Sequence, residues 1–175
     1  MTDESSVTYL EDLLRALTSR GVRFIVAGGV AIVLHGIERT TMDLDIALDL
    51  SPENVRRFRD VTDSLGLRPL VPVPVEALSD PELVRMMVEE KHAIAFMLAD
   101  PAMPLRKIDV FLTEQLSYEN LAADSVPVEI PGISLRVVSL ARLLELKRAV
   151  DPPRDKDIFD IRAIERLLHK GQSDV

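Results

Sequence analysis

The segment MDLDIAL, at residues 42–48, places two aspartates one residue apart inside an apolar run. Alternation with a period of two predicts a β-strand, because successive side chains of a strand point to opposite faces. One face carries both Asp43 and Asp45. The other face is apolar, packs on helices and consists of Leu44, Ile46 and Leu48. Two carboxylates this close raise each other's pKa, so this strand requires a compensating positive charge nearby.

Helical and strand patterns are mixed along the rest of the chain. Apolar residues at helical spacing predict helices at residues 7–20, 30–36, 51–65, 79–90, 115–122, 139–150 and 154–170. Segments rich in β-branched residues predict strands at residues 22–27, 42–48, 92–98 and 105–113, and a hairpin at 126–138. Residues 67–78 are rich in proline, which predicts a loop or an edge segment. These patterns predict an α+β fold with a mixed β-sheet rather than a doubly wound parallel sheet.

The composition predicts one globular domain over residues 1–175, with a C-terminal helical segment at about 139–170. No apolar run reaches the roughly 20 residues of a membrane span, and the acidic N-terminus is not typical of a secretory signal. The absence of cysteine fits a cytoplasmic protein. The net charge of -8 argues against a broad DNA-binding surface but leaves room for a local basic cleft. With 4% aromatic residues, base-stacking platforms are not expected.

A divalent cation is the natural compensation for Asp43 and Asp45. Magnesium takes oxygen ligands and commonly lies between one or two carboxylates and substrate phosphates, and manganese is the alternative metal. The competing interpretation is a polar strand face wetted by solvent, since a D-x-D pair alone is common on such surfaces.

The glycine pair Gly28-Gly29 lies between a predicted strand and a predicted helix. Glycines at such a turn let the backbone approach a phosphate, and the N-terminus of the helix supplies unpaired N–H groups. The alternative is an ordinary tight turn. Because the D-x-D strand comes next along the chain, a phosphate cradle and a metal site would face one cleft.

A third carboxylate, Asp109, interrupts the strand predicted at residues 105–113 and shares a face with Lys107 and Phe111. If this strand neighbours the D-x-D strand, Asp109 joins the other two acids. Three carboxylates around two metals would activate an attacking oxygen and stabilise a leaving pyrophosphate. The alternative is an acidic residue on an exposed strand face.

Arg39 and Thr41 immediately precede the D-x-D strand. A guanidinium and a hydroxyl at this place would contact phosphate oxygens. Alternatively, Arg39 pairs with Glu38 or Asp49, and Thr41 only begins the strand. Both interpretations stay open.

The segment VAGGVAIVLHGIERTTMDLDIAL, at residues 26–48, resembles the signature of the DNA polymerase β-like nucleotidyltransferase superfamily. The form LHG…RTTMDLD is most similar to the minimal bacterial nucleotidyltransferases, especially the AbiEii-type toxins of abortive-infection and toxin–antitoxin systems. The tail segment ELKRAVDPPRDKDIFDI, at residues 145–161, resembles the lysine-bearing helix and the K-D-x-x-D segment of the same group. The resemblance covers the first fifty residues and about the last forty.

The resemblance implies a minimal nucleotidyltransferase fold and a set of site residues. The metal ligands would be Asp43, Asp45 and Asp109. The nucleotide would contact Gly28, Gly29, Arg39, Thr41 and Lys147, of which Lys147 also acts in catalysis. Supporting residues would be Lys156, Asp157 and Asp160, with the two acids holding the lysine extended. Many members have serine where this chain has Gly29, so a hydroxyl contact to phosphate is expected to be missing.

The implied activity is transfer of a nucleoside monophosphate from an NTP to an acceptor hydroxyl, with release of pyrophosphate. The acceptor would be RNA such as a tRNA end, a protein side chain or a small molecule. A second hypothesis is a catalytically silent domain that binds a nucleotide or a partner protein. A third, compatible with the first, is the toxin of a toxin–antitoxin pair whose main contact is its cognate antitoxin.

Overall fold

The computed structural model describes residues 3–173 of the chain. The helices are α1 Asp3–Ser19, α2 Gly28–Leu34, α3 Pro52–Ser64, α4 Pro81–Glu89, α5 Tyr118–Ala122, α6 Leu140–Arg148 and α7 Asp155–Ser173. The strands are β1 Phe24–Val26, β2 Asp43–Leu48, β3 Arg68–Pro69, β4 Ala95–Ala99, β5 Lys107–Phe111, β6 Ser125–Ile130 and β7 Ile133–Val138. Short 3-10 helices lie at Val75–Ser79 and Glu114–Leu116. In the part of the chain just delimited, no helix is long and apolar enough to cross a membrane.

The strands form one mixed sheet in the order β3-β4-β5-β2-β1-β7-β6. The central strand β2 pairs antiparallel with β1 and parallel with β5, whereas β1 pairs parallel with β7. The strands β6 and β7 form the predicted antiparallel hairpin. The predicted α+β fold with a mixed sheet is therefore confirmed.

The proline-rich stretch at residues 67–78, predicted as a loop or an edge segment, is mostly loop with a short strand at the edge of the sheet. Only two of its residues, Arg68 and Pro69, form a strand, and this strand pairs with β4 alone. Proline is tolerated at an edge because its missing N–H faces away from the ladder. The stretch then turns through the 3-10 helix Val75–Ser79, whose Leu78 is buried in the core.

Alternation along β2 separates a buried face from a polar face, as the sequence predicts. Leu44 and Ile46 are fully buried, and their partners on β5, Ile108 and Val110, are fully buried as well. Because the side-chain period of a strand is two, burial of these residues directs the intervening aspartates to the opposite face.

The two C-terminal helices are joined by buried ion pairs. Lys147 Nζ on α6 lies 2.8 Å from Asp157 Oδ1 and 2.8 Å from Asp160 Oδ2, both on α7. Asp157 is fully buried and also accepts a 2.6 Å hydrogen bond from Arg154 Nε. Burial opposes ionisation of Asp157, but hydrogen bonds from Arg154 and Lys147 outweigh it and hold its pKa far below the usual range.

Replacement of Asp157 by asparagine is expected to destabilise the fold by about 3 kcal/mol, since two cations lose their buried counter-charge. Urea unfolding at pH 7 measures this. Asp155→Asn, an exposed acid in the first turn of the same helix, is the matched control and should cost less than about 1 kcal/mol.

The pH dependence gives a second check on Asp157. Because its folded pKa is lowered, the contribution of Asp157 is fully present above its unfolded pKa of about 4 and is lost as pH falls through the folded value. The difference between the parent and Asp157→Asn should therefore shrink on acidification below about pH 4. A difference that stays constant with pH would contradict the ion-pair explanation.

Candidate active site

Three carboxylates meet on one face of the sheet because β2 and β5 are parallel and in register. Asp45 lies directly opposite Asp109, and Asp43 lies opposite Lys107. Residues at opposed positions of neighbouring strands point to the same face. The structure thus brings together Asp43, Asp45 and Asp109, the three acids that the sequence singled out.

The acid cluster of Asp43, Asp45 and Asp109 is electrostatically strained. Burial, together with the charges of Asp109 and Asp43, raises the pKa of Asp45 to about 6. Burial also raises the pKa of Asp109, although Lys107 opposes the shift. The Oδ1 atom of Asp109 is buried and has no hydrogen-bond partner.

These features fit a cation. An unpartnered carboxylate oxygen and mutually repelling carboxylates are both relieved by a positive ion. Among residues 9–170, whose side chains the structure describes, no group of three or more His, Asp or Glu side chains forms a ready-made ligand set. Such a site suits magnesium, which takes one or two protein carboxylates and draws its other ligands from water and substrate phosphates.

Lys107 lies within the acid cluster. Its Nζ atom is 3.0 Å from Asp43 Oδ2 and 3.8 Å from Asp109 Oδ2, and its side chain is 28% exposed. Although burial disfavours the ammonium, contacts with these acids raise its pKa overall. Sequence reasoning placed Lys107 on this strand face but gave it no role. The sequence feature that could have identified Lys107 as a site residue is its position two residues before Asp109.

Gly28 lets α2 begin directly against Asp45. Its φ of +58° lies in the left-handed region, and a Cβ there would overlap with Asp45 Oδ2. The next backbone N–H, that of Gly29, donates a hydrogen bond to the Asp45 carboxylate. The glycine pair is therefore adjacent to the acid cluster, as the sequence suggested, and this position requires glycine for both backbone and space.

Arg39 and Thr41 flank the glycine pair on its other side. A Cβ at Gly29 would overlap with Arg39 Nη1 and would lie 2.7 Å from Thr41 Oγ1. The loop before β2 thus places the Thr41 hydroxyl next to Gly29.

Arg39 pairs with the tail of the chain. Its Nε atom donates a 2.8 Å hydrogen bond to Asp160 Oδ1. The alternative prediction, that Arg39 pairs with Glu38 or Asp49, is wrong. Asp49 pairs with Arg23 instead. Asp160 is buried and is shared between Arg39 and Lys147, so one carboxylate joins the loop before β2 to both C-terminal helices.

An open cavity of about 450 Å³ adjoins the acid cluster. Its walls are formed by Arg39, Thr40, Thr41, Met42, Asp43, Leu105, Lys156, Phe159 and Asp160. Lys156 is exposed on this wall, and Phe159 is 69% exposed beside it. Sequence reasoning missed Phe159, since an aromatic residue on an amphipathic helix usually faces the core.

The site therefore combines opposed charges in one cleft. Carboxylates that suit a cation lie beside cationic groups, backbone N–H groups and a hydroxyl that suit phosphates. In chemical terms, such a combination suits a metal–polyphosphate and charge that develops on a transferring phosphorus.

The chain was compared with known protein families and with curated proteins. A family model described as "Nucleotidyl transferase AbiEii toxin, Type IV TA system" matches residues 12–174. A search of curated protein sequences finds no match.

Comparison with solved structures gives relatives of the same fold. The antibiotic-resistance factor ANT(2'')-Ia in solution matches with a TM-score of 0.63 and 18% identity, covering 95% of this chain and 86% of that one. ANT(2'')-Ia in complex with adenylyl-2''-tobramycin matches with a TM-score of 0.62 and 18% identity, covering 97% and 93%. The lincosamide antibiotic adenylyltransferase LnuA, lincomycin-bound, matches with a TM-score of 0.59 and 16% identity, covering 94% and 97%.

Gly28→Ala is expected to abolish tight binding of magnesium with a non-hydrolysable NTP, because the new methyl group displaces the Asp45 carboxylate. Calorimetry measures the affinity. Gly36→Ala is the matched control: Gly36 also has a positive φ, of +86°, but a Cβ there meets nothing within 4 Å. Both variants should lose about 1 kcal/mol of stability from backbone strain, and only Gly28→Ala should lose the ligand. An equal loss of magnesium–NTP affinity in Gly28→Ala and Gly36→Ala would show that backbone strain alone disrupts binding.

Proposed function

The chain belongs to the AbiEii nucleotidyltransferase toxin family, and we propose that it transfers a nucleoside monophosphate from an NTP to an acceptor hydroxyl in a magnesium-dependent reaction. The observation that carries the proposal is the register of β2 with β5, which sets Asp45 opposite Asp109. Manganese is the alternative metal. A cation held by Asp43, Asp45 and Asp109 would supply charge stabilisation at the reacting phosphate.

In this proposal the acidic residues and the phosphate-binding groups have separate roles. Asp109, with one buried oxygen that has no partner, takes the proton from the acceptor hydroxyl. The hydroxyl oxygen forms a bond to the α-phosphorus, and the bond from that phosphorus to pyrophosphate breaks. The Gly28 N–H and the Thr41 hydroxyl bind triphosphate oxygens. The Gly29 N–H, which donates to Asp45, would turn to the phosphate once a cation holds that carboxylate.

Arg39 and Lys147 would supply positive charge to the triphosphate. Both are held by Asp160, and Lys147 also by Asp157. Such pairing fixes a flexible side chain in place before the substrate arrives, which reduces the cost of orienting it. Lys156, exposed on the cavity wall, would act as a supporting residue, since its positive charge opposes the rise in the pKa of Asp109.

Asp109→Asn is expected to retain most NTP affinity and to lose at least about a hundredfold in turnover, since a general base contributes roughly that much or more. Labelled NTPs incubated with magnesium and total cellular RNA or protein would measure turnover, and calorimetry would measure affinity. Unlike Asp109→Asn, the variants Asp43→Asn and Lys147→Ala should weaken NTP binding in addition to reducing turnover. Parent protein that binds NTP but labels no acceptor would support the alternative of a catalytically silent nucleotide-binding domain.

We propose RNA, such as a tRNA end, as the acceptor, because an exposed basic face of α7 leads away from the site. This α7 face consists of Lys156, Phe159, Arg162, Arg166 and Lys170, all exposed. Among the side chains that the structure describes, neither Arg162 nor Arg166 forms an ion pair with an acid. Phe159 lines both the cavity at the acid cluster and a second one with Arg162 and Arg166.

The α7 face offers what a nucleic acid strand needs in an otherwise acidic protein. Cations neutralise backbone phosphates, and an exposed aromatic ring stacks on a base. Its acids are Asp155, in the first turn, and Glu165, whose carboxylate pairs with Arg148. The structural relatives are described with tobramycin and lincomycin, so a small molecule is the competing acceptor.

Phe159→Ala is expected to raise the KM for an RNA acceptor about tenfold, given a stacking energy of roughly 1–3 kcal/mol per base. A double variant with Arg162→Ser and Arg166→Ser should also reduce the salt dependence of RNA labelling. Arg56→Ser, an exposed arginine on α3, is the control. Labelling of a small molecule or a protein that none of these changes affects would rule out the RNA proposal.

We also propose that this activity makes the chain the toxin of a toxin–antitoxin pair acting in the cytoplasm, where NTPs and RNA are both present. The family description supports this role. A neighbouring gene whose product relieves growth arrest caused by the chain would be the expected antitoxin. Growth that the chain leaves unaffected would argue against a toxin.

A further inference from the structure

The acid cluster already holds one positive charge of its own. The Lys107 ammonium lies between Asp43 and Asp109, 3.0 Å from the first and 3.8 Å from the second. Its position is fixed by the same strand register that assembles the acids, since Lys107 is the β5 partner of Asp43. Among the described side chains, no other cation pairs with either acid.

The Lys107 ammonium and a divalent cation compete for the same oxygens. A +2 ion bound by Asp43 and Asp109 would lie within a few ångströms of the ammonium, at a range where two positive charges repel strongly in a partly buried site. Lysine is suited to leave, because its charge is compact and its four-carbon stem is flexible. The triphosphate of a bound nucleotide would be a new partner for the displaced ammonium.

We propose that Lys107 is a built-in counter-ion that holds the acid cluster together before a cation binds and makes cation binding conditional on the nucleotide. A cation alone must displace Lys107 without compensation and so binds weakly. A cation that arrives with an NTP brings phosphates that accept the ammonium. The inference rests on the proposed function, and it assigns to Lys107 the control of when the site is loaded.

The test measures magnesium binding to the full-length chain by calorimetry and by thermal melts, with and without a non-hydrolysable NTP. Without magnesium, Lys107→Met should melt at a lower temperature than the parent. Adding magnesium should restore the melting temperature of the variant. Its half-saturating magnesium concentration without nucleotide should fall by about tenfold, in line with the loss of one close repulsion. The gain in magnesium affinity on adding nucleotide should shrink correspondingly.

Two controls separate charge from bulk. Lys107→Arg keeps the positive charge and should bind magnesium as weakly as the parent when no nucleotide is present. Lys91→Met removes an exposed lysine in the turn after α4 and should leave magnesium binding unchanged. Unchanged or weaker magnesium binding in Lys107→Met would overturn the inference, and so would tighter binding in Lys91→Met of the same size.

The parent chain provides a second measurement if Lys107→Met does not fold. The ¹³Cε signal of Lys107, assigned from its loss in Lys107→Arg, should move when magnesium and the NTP analogue are added together. A signal that stays in place at saturation would show that the ammonium never leaves the acids. Failure of the parent to bind magnesium with the analogue at all would instead count against the proposed function.

Discussion

The parallel pairing of β2 with β5 is the interaction on which the candidate active site depends. It buries apolar side chains from both strands, and these are Leu44, Ile46, Ile108 and Val110. Because a strand alternates between its faces, the same hydrogen bonds place Asp45 beside Asp109. A slip of one residue would bury the acids and expose the apolar face. The free-energy cost of burying unpaired carboxylates disfavours such a slip. Core packing and site geometry are therefore set by one register.

The register of β2 with β5 concentrates negative charge, and the surrounding structure partly offsets it. Burial and neighbouring acids raise the pKa of Asp45, so its ionised form near neutral pH costs stability. Lys107 compensates on one side, and the N–H of Gly29 compensates on the other. The negative charge that is not compensated favours binding of a cation. Unfavourable electrostatic interactions of this kind are common at functional sites.

The C-terminal helices act on the same site from a distance in sequence. Asp160 connects Arg39, in the loop before β2, with Lys147 on α6. Asp157 adds a second, fully buried anchor for Lys147. Buried ion pairs of this kind contribute geometric definition more than net stability, since desolvation offsets much of their attraction. The tail therefore fixes the positions of Arg39 and Lys147 through shared carboxylates.

The sequence by itself determined the local elements and the face on which each acid lies. Alternation and glycine turns are local signals, so the D-x-D strand, the glycine-opened helix and the strand that carries Asp109 were predictable. The family resemblance added Lys147. Only the tertiary structure decided which charges meet, because ion pairs across long sequence separations leave no periodic signal. It paired Arg39 with Asp160, set Thr41 beside Gly29, exposed Phe159 at the cavity and placed Lys107 between two of the acids. Each of these depends on how the loop before β2, the sheet and α7 pack together, and such packing arises from contacts between distant residues that no local pattern reveals.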